Sequence, residues 1–212
     1  MPPPYPASHL VATPCNPFDS TCNTVGEGNC DLWPGVASGF ERLATTRPYY
    51  RSGYVFVSRA NRPFDGLTLD DPRLRKARIG VQLVGDDGTN TPPAHAMVRR
   101  GLTDNVQGFM LYGDYRNPNP PSEIVNAVSV GKIDVGLVWG PLAGYFAKRR
   151  PVPLRLTTVQ PWLDDNQWPM AYDISVGVRR NDPALLHDLK QALERDKDWI
   201  GKLLRSYGVP EA

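Results

Sequence analysis

Apolar runs and short alternations mark the strands of this chain, and Gly, Pro and Asn mark where they stop. Residues 1–22 are rich in Pro, Ser and Thr and carry neither a helical nor a strand period, which predicts an irregular tail. The texture changes at Asn23. Gly28-Asn29-Cys30-Asp31-Leu32-Trp33-Pro34-Gly35-Val36 reads as a turn running into a short strand, and residues 54–58 as a second strand of aromatic and β-branched residues. Residues 59–77 are polar and contain the turn signals Asn61-Arg62-Pro63 and Asp70-Asp71-Pro72, so they are expected to form a connection.

A regular pattern follows. Residues 78–84 form an apolar-rich strand, and Thr91-Pro92-Pro93 supplies an N-cap with prolines in the first helical turn, where a missing N–H costs little. Gly101 stops that helix. Residues 105–112 are the next strand, 122–130 a short helix closed by Gly131, and 132–139 a third strand. This βαβαβ run predicts parallel strands with helices on both faces. Gly140-Pro141 opens another short helix reaching Lys148, and residues 154–159 extend after Pro151-Val152-Pro153 as a return strand. Residues 160–170 read as a loop and 174–179 as a strand. Asp182-Pro183 then caps a long amphipathic helix whose apolar positions are Leu186, Leu189, Leu193, Ile200 and Leu203.

Composition narrows the classes. Lys plus Arg total 24 against 22 for Asp plus Glu, and a net charge of +2 predicts no strong attraction to nucleic acid or to an anionic membrane. The scattered basic residues are expected to form a solvated, mixed surface. No stretch approaches the ~18 apolar residues of a membrane span. Met1-Pro2-Pro3-Pro4-Tyr5-Pro6 has neither the basic nor the apolar region of a secretion signal. Cys15, Cys22 and Cys30 are odd in number and spaced unlike short zinc motifs, so a disulfide or thiols rank above a metal. His9, His95 and His187 are scattered, and no nucleophile elbow, phosphate loop or dinucleotide fingerprint occurs. The paired acids Asp86-Asp87 and Asp164-Asp165 read as solvated turns rather than an acid/base couple. No catalytic residue, metal ligand or cofactor is expected.

The order of elements resembles the type II periplasmic binding fold, an α/β architecture of two lobes joined by hinge strands. The likeness is closer in Gly39-Phe40-Glu41-Arg42-Leu43-Ala44-Thr45-Thr46-Arg47-Pro48-Tyr49-Tyr50-Arg51-Ser52, in Gly80-Val81-Gln82-Leu83-Val84-Gly85-Asp86-Asp87-Gly88-Thr89-Asn90-Thr91-Pro92-Pro93, and in Gly113-Asp114-Tyr115-Arg116. Val138-Trp139-Gly140-Pro141-Leu142-Ala143-Gly144-Tyr145 and Tyr172-Asp173-Ile174-Ser175-Val176-Gly177-Val178-Arg179 extend it. These segments resemble the quinoprotein dehydrogenase-associated binding proteins, the MxaJ/XoxJ family. The resemblance implies a split first lobe over residues 23–76 plus 160–212, and a second lobe over 77–159 with the hinge crossings. Residues 1–22 do not match the strand, helix and strand with which such proteins open, so the first lobe is expected to be incomplete at an aberrant or truncated N-terminus. In that case the strand at 54–58 would expose an edge and apolar faces, which favours aggregation.

The resemblance also implies the function: a non-catalytic periplasmic accessory of a PQQ-dependent methanol or alcohol dehydrogenase, aiding its maturation or activation. An importer's solute receptor and a dehydratase on the same fold are the alternatives, the latter with Glu41 or Asp173 as its acid. Arg42 stands where amino-acid-binding relatives fork an arginine onto a ligand carboxylate, or it pairs with Glu41. Thr89, ahead of a helix N-terminus, is a further ligand candidate. At the strand end the chain reads Trp139-Gly140-Pro141 where those relatives carry an acid for the ligand amine. With Tyr49, Tyr50, Tyr112 and Tyr115, Trp139 suits an apolar or stacking cleft.

Overall fold

The computed structural model describes Val25 and residues 30–84, 90–111 and 119–210. In chain order the strands and helices are β1 (Leu32–Ala37), β2 (Ala44–Thr45), β3 (Tyr50–Arg59), β4 (Ile79–Leu83), α1 (Pro92–Arg99), β5 (Val106–Met110), α2 (Glu123–Ser129) and β6 (Val135–Trp139). There follow α3 (Gly140–Ala147), β7 (Leu154–Thr158), β8 (Leu163–Asp164), β9 (Trp168–Pro169), β10 (Ala171–Val178), α4 (Pro183–Arg195) and α5 (Lys197–Tyr207). The chain divides into two compact units, Met1–Tyr49 with Ile174–Asp196 and Tyr50–Asp173 with Lys197–Ala212. Residues 50–76 and 160–173 belong with the second unit because β3 hydrogen-bonds to β6 and β7 along its length.

In the first unit β10 runs antiparallel to β1, from Leu32↔Val178 to Ala37↔Ile174, and to β2 at Gly177↔Thr45. The register of β1 shifts between Trp33 and Val36, where Pro34 has no N–H to donate. Val25, Cys30, Val36 and Leu43 form a small core, with Trp33 and Phe40 edge to face at 6.3 Å. Cys30 is disulfide-bonded, which answers the choice left open between bridge and thiol; its partner lies outside the described residues. Arg179 ties the entry to β1, donating to the Cys30 carbonyl at 2.9 Å and to Asp31 at 3.1 Å.

The second unit is built on a sheet in the order β7-β3-β6-β4-β5. β4 is parallel to β5 and β6, as the βαβαβ run predicts, and β3 is antiparallel to β6 and β7. Alternation explains the two faces of β3. Tyr54 and Phe56 enter one core with Ile79, Val81, Val135 and Leu137, while Val55 and Val57 enter another with Phe109, Ile124, Val128 and Val138. Each fully buried side chain of this kind contributes about 1.5–3 kcal/mol. The expected exposed edge at residues 54–58 does not occur, since this strand is paired on both sides and Val55, Phe56 and Val57 are buried. Residues 154–159 form an edge strand of this unit.

Three further expectations are corrected. Residues 59–77 are more than a polar connection: Leu67, Leu69, Leu74 and Ala77 are buried in the core of the second unit. The polar residues between them satisfy one another, with Arg73 donating to the Pro63 and Asp65 carbonyls and to the Asp71 carboxylate. Asp71 also caps a 3-10 turn at Pro72–Lys76. The long C-terminal helix is two helices, broken at Asp196, whose ψ of 11° leaves the helical region. The residues on either side of the break belong to different units. Finally, Asp164 is no solvated turn residue. It is buried and receives the guanidinium of Arg99 at 2.5 Å and that of Arg100 at 2.9 Å.

Candidate binding site

The strand order of the second unit sets up the site. The chain leaves β4 for β5 on one side and returns to β6 on the other, so the carboxyl ends of β4 and β6 flank a reversal of the strand order. Open α/β sheets bind ligands at such a point. Gln82, one residue from the end of β4, and Trp139, the last residue of β6, meet there: the Gln82 Oε1 accepts the Trp139 backbone N–H at 2.8 Å. Gln82 is 1% exposed, and its Nε2 has no hydrogen-bond partner among the described residues. A buried amide donor left without an acceptor is uncommon and costs free energy.

Thr91 adds a second tie to the same strand. It occupies the N-cap position of α1, yet its hydroxyl makes no capping bond and instead donates to the Gln82 carbonyl at 2.7 Å. Trp139 in turn is walled by two tyrosines. The Tyr54 ring meets it edge-on at 5.4 Å and the Tyr172 ring at 5.9 Å. Burial pushes the Tyr172 phenol above its ordinary value, and the Tyr50 phenol likewise. Both remain neutral at physiological pH, so they act as hydrogen-bonding groups and not as bases. Beyond Trp139 come Gly140 and Pro141, which open α3 without an acidic side chain in its first turn. The arrangement offers aromatic surface at the strand ends, with the Gln82 amide donor enclosed beside it, and such a surface suits an apolar or planar group.

The other predicted residues are distributed as follows. Arg42 is exposed in the turn before β2, in the first unit. Tyr49, also in the first unit, donates its hydroxyl to the Pro34 carbonyl and its N–H to the Ile174 carbonyl. Tyr50 is the half-buried first residue of β3. Thr89, Tyr112, Tyr115 and Asp86-Asp87 lie outside the described residues, as do residues 1–22. Of the two carboxylates considered for dehydratase chemistry, Glu41 is exposed and Asp173 pairs with Arg51 at 3.0 Å, whose guanidinium lies 4.9 Å from the centre of the Trp162 ring. Among the described residues no cluster of His, Cys, Asp and Glu could hold a metal ion, and no helix is long and apolar enough to cross a membrane. Sequence reasoning missed Gln82, Tyr54 and Tyr172. The one available signal was Gln82 itself, a polar residue inside the apolar run Ile79-Gly80-Val81-Gln82-Leu83.

No protein-family model matches the chain. It is 34% identical over 196 residues to protein MoxJ of Methylorubrum extorquens, an alignment that takes in 85% of this chain and spans only 62% of that relative's length. The periplasmic binding protein XoxJ from Methylobacterium extorquens AM1 is 31% identical, with a TM-score of 0.70 over 88% of this chain and 77% of XoxJ. The chain belongs to the MoxJ/MxaJ/XoxJ family. A third relative, MxaJ from Methlophaga aminisulfidivorans MPT, has a TM-score of 0.71 at 24% identity over 88% of this chain and 78% of its own, which speaks for the fold. The mixed α/β fold is thus that of periplasmic binding proteins, as the element order implied. Within this J-protein fold the Trp139 aromatic group occupies the strand ends at which the sheet reverses its order.

Proposed function

We propose that this J protein is a non-catalytic periplasmic accessory of a PQQ-dependent methanol or alcohol dehydrogenase, aiding maturation or activation of that enzyme. The observation that carries the reading is the Trp139 group: an aromatic strand end, flanked by Tyr54 and Tyr172, with Gly140-Pro141 following where an amine-binding receptor needs a carboxylate. Such a surface suits an apolar side chain of a partner segment better than a zwitterionic solute. Kinship with the relatives named MoxJ, MxaJ and XoxJ supports it. The test is a pull-down with purified dehydrogenase in its apo and holo forms. Enrichment of one form over the background of an unrelated binding protein is expected, and equal recovery on both proteins overturns the reading.

A second reading, a solute receptor of an importer, is favoured by the Gln82 Nε2, which has no partner among the described residues and would be satisfied by a small molecule whose acceptor enters between the strand ends. Native mass spectrometry after gentle purification separates the two. A stoichiometric small ligand retained by the wild type and lost in Gln82→Leu supports the receptor.

A further inference from the structure

The net charge of +2 conceals a strongly cationic face in the second unit. Helix α3 touches the end of α5 at two glycines, Gly144 and the Gly208 that follows α5, so closely that a Cβ added at Gly144 would lie 1.7 Å from the Gly208 carbonyl oxygen. This contact gathers basic residues that are more than 45 positions apart in the chain: Lys148, Arg149 and Arg150 from the end of α3, and Lys202 and Arg205 from α5. Residues 140–158 contain no acid, and residues 197–210 only Asp198. The donors of the first three go to neutral groups. Lys148 Nζ caps the end of α5 through the Arg205 and Ser206 carbonyls at 2.9 and 3.0 Å, Arg149 donates to the Tyr145 carbonyl, and Arg150 to the Asn126 side-chain oxygen at 3.1 Å. Their charge is therefore held in place without being neutralised. The expected mixed surface is corrected here, because helix packing sorts charge that the linear sequence scatters.

Beside these cations runs a groove of about 350 Å³, with Lys148 and Arg150 on its rim and Pro151, Val152, Leu154 and Leu156 among its lining. Next to it the Arg149 guanidinium lies 3.5 Å from the centre of the Tyr145 ring, which stacks on Tyr207 at 5.8 Å and 12°. Tyrosine and arginine around an apolar floor are the composition of a protein-binding surface. Tyr145 is stacked on by Tyr207 and carries Arg149, which leaves the outer face of Tyr207 alone where a single-stranded nucleic acid needs successive open rings to stack on. A concave, proline-lined groove also lacks the protruding apolar stripe with which a helix enters a lipid surface.

We propose that this face of the second unit docks an extended acidic segment of a partner protein, its carboxylates on Arg149, Arg150 and Lys202 and an apolar side chain in the groove. The proposal stands whether or not that partner is a dehydrogenase. Its test is fluorescence anisotropy with a fluorescein-labelled peptide rich in Glu and Asp around one Leu, beside a peptide with Gln and Asn in place of the acids. The acidic peptide binds and the neutral one does not. Arg149→Glu and Lys202→Glu each weaken binding by about tenfold or more, while Arg62→Glu, the same charge change at an exposed site outside both helices, leaves it within about twofold. Unchanged melting of each variant shows that the fold is kept. Equal binding of the neutral peptide, indifference to both charge reversals, or binding of phosphatidylglycerol vesicles without binding of the acidic peptide overturns the proposal.

Discussion

The side-chain oxygen of Gln82 accepts the backbone N–H of Trp139 at 2.8 Å, while the amide nitrogen of the same residue is buried without an acceptor among the described residues. One half of the amide holds the strand end and the other half is unsatisfied. The two halves are separable by substitution. Gln82→Leu removes both, leaving the Trp139 N–H unpaired, and is expected to destabilise the protein by about 1–3 kcal/mol in urea denaturation. Gln82→Glu keeps an acceptor for Trp139 but buries a carboxylate. Its penalty should be present at neutral pH and relieved in acid, because burial raises the pKa of the new carboxyl and the neutral form fits the site. A Gln82→Glu variant equally destabilised at both ends of that range would count against this account.

Asp164 clamps residues 160–170 onto α1. Its carboxylate takes Arg99 and Arg100, the Arg100 guanidinium also reaches Asp70, and His95 of α1 stacks on Trp168 at 4.0 Å. Asp164→Ala removes the buried carboxylate that two partly buried guanidiniums share and is expected to cost about 3 kcal/mol, near the lower end for broken buried pairs because Arg99 keeps Asp165 and Arg100 keeps Asp70. Trp168 should then leave His95, with a change in tryptophan fluorescence in the folded protein before any unfolding. Trp168→Phe in the Asp164→Ala background removes that change if Trp168 is its source.

Much of the second unit was legible because its punctuation is local. Pro92-Pro93, Gly101, Gly131 and Pro141 each mark an end at the residue itself, and Gly101 and Gly131 do adopt positive φ, 66° and 77°. What escaped depends on contacts distant in sequence. Leu67, Leu69 and Leu74 sit among turn residues, and only the sheet above them makes them core. Asp164 reads as a turn acid until Arg99 and Arg100 are brought to it from 65 and 64 positions away. The period of α4 continues into α5, so nothing in the apolar spacing marks the break at Asp196. At the candidate site, Trp139 was readable as an aromatic strand end, but its partners Tyr54 and Tyr172 come from separate strands and Gln82 announces itself only as a polar residue in an apolar run.

Acid should act through a small set of aspartates. Hydrogen bonds from Arg73 hold the Asp71 carboxyl below its ordinary 3.8, and those from Arg78 do the same for Asp134. Because the folded values are depressed, the unfolded chain binds more protons in acid. The stability these pairs contribute is fully present above about pH 3.8 and is lost as pH falls through the lower folded values. Arg78→Leu, which removes the bonds at 2.8 and 3.0 Å to Asp134, should therefore lower stability at neutral pH and do so less in strong acid. Urea midpoints measured from neutral pH down to about pH 3 should converge for the variant and the wild type. Parallel curves would mean that the pair contributes nothing specific to the charged carboxylate.

The contact of Gly144 with Gly208 makes the sharpest stability prediction. An added Cβ at Gly144 would meet the Gly208 carbonyl oxygen at 1.7 Å and its carbon at 2.5 Å, and both are backbone atoms that cannot rotate aside. Moving α5 away would break the Lys148 bonds to the Arg205 and Ser206 carbonyls and separate the Tyr145 and Tyr207 rings. Gly144→Ala is expected to cost about 3 kcal/mol or more, and to raise hydrogen exchange in α5 above that of β3 and β6. Gly201→Ala is the matched control inside α5. There the nearest contact is 3.4 Å, an ordinary van der Waals distance to the end of the Arg205 side chain, so alanine should relieve the helical penalty of glycine and stabilise by up to about 1 kcal/mol. Opposite signs for the same glycine-to-alanine change would locate the effect in the interhelical contact and not in helix propensity.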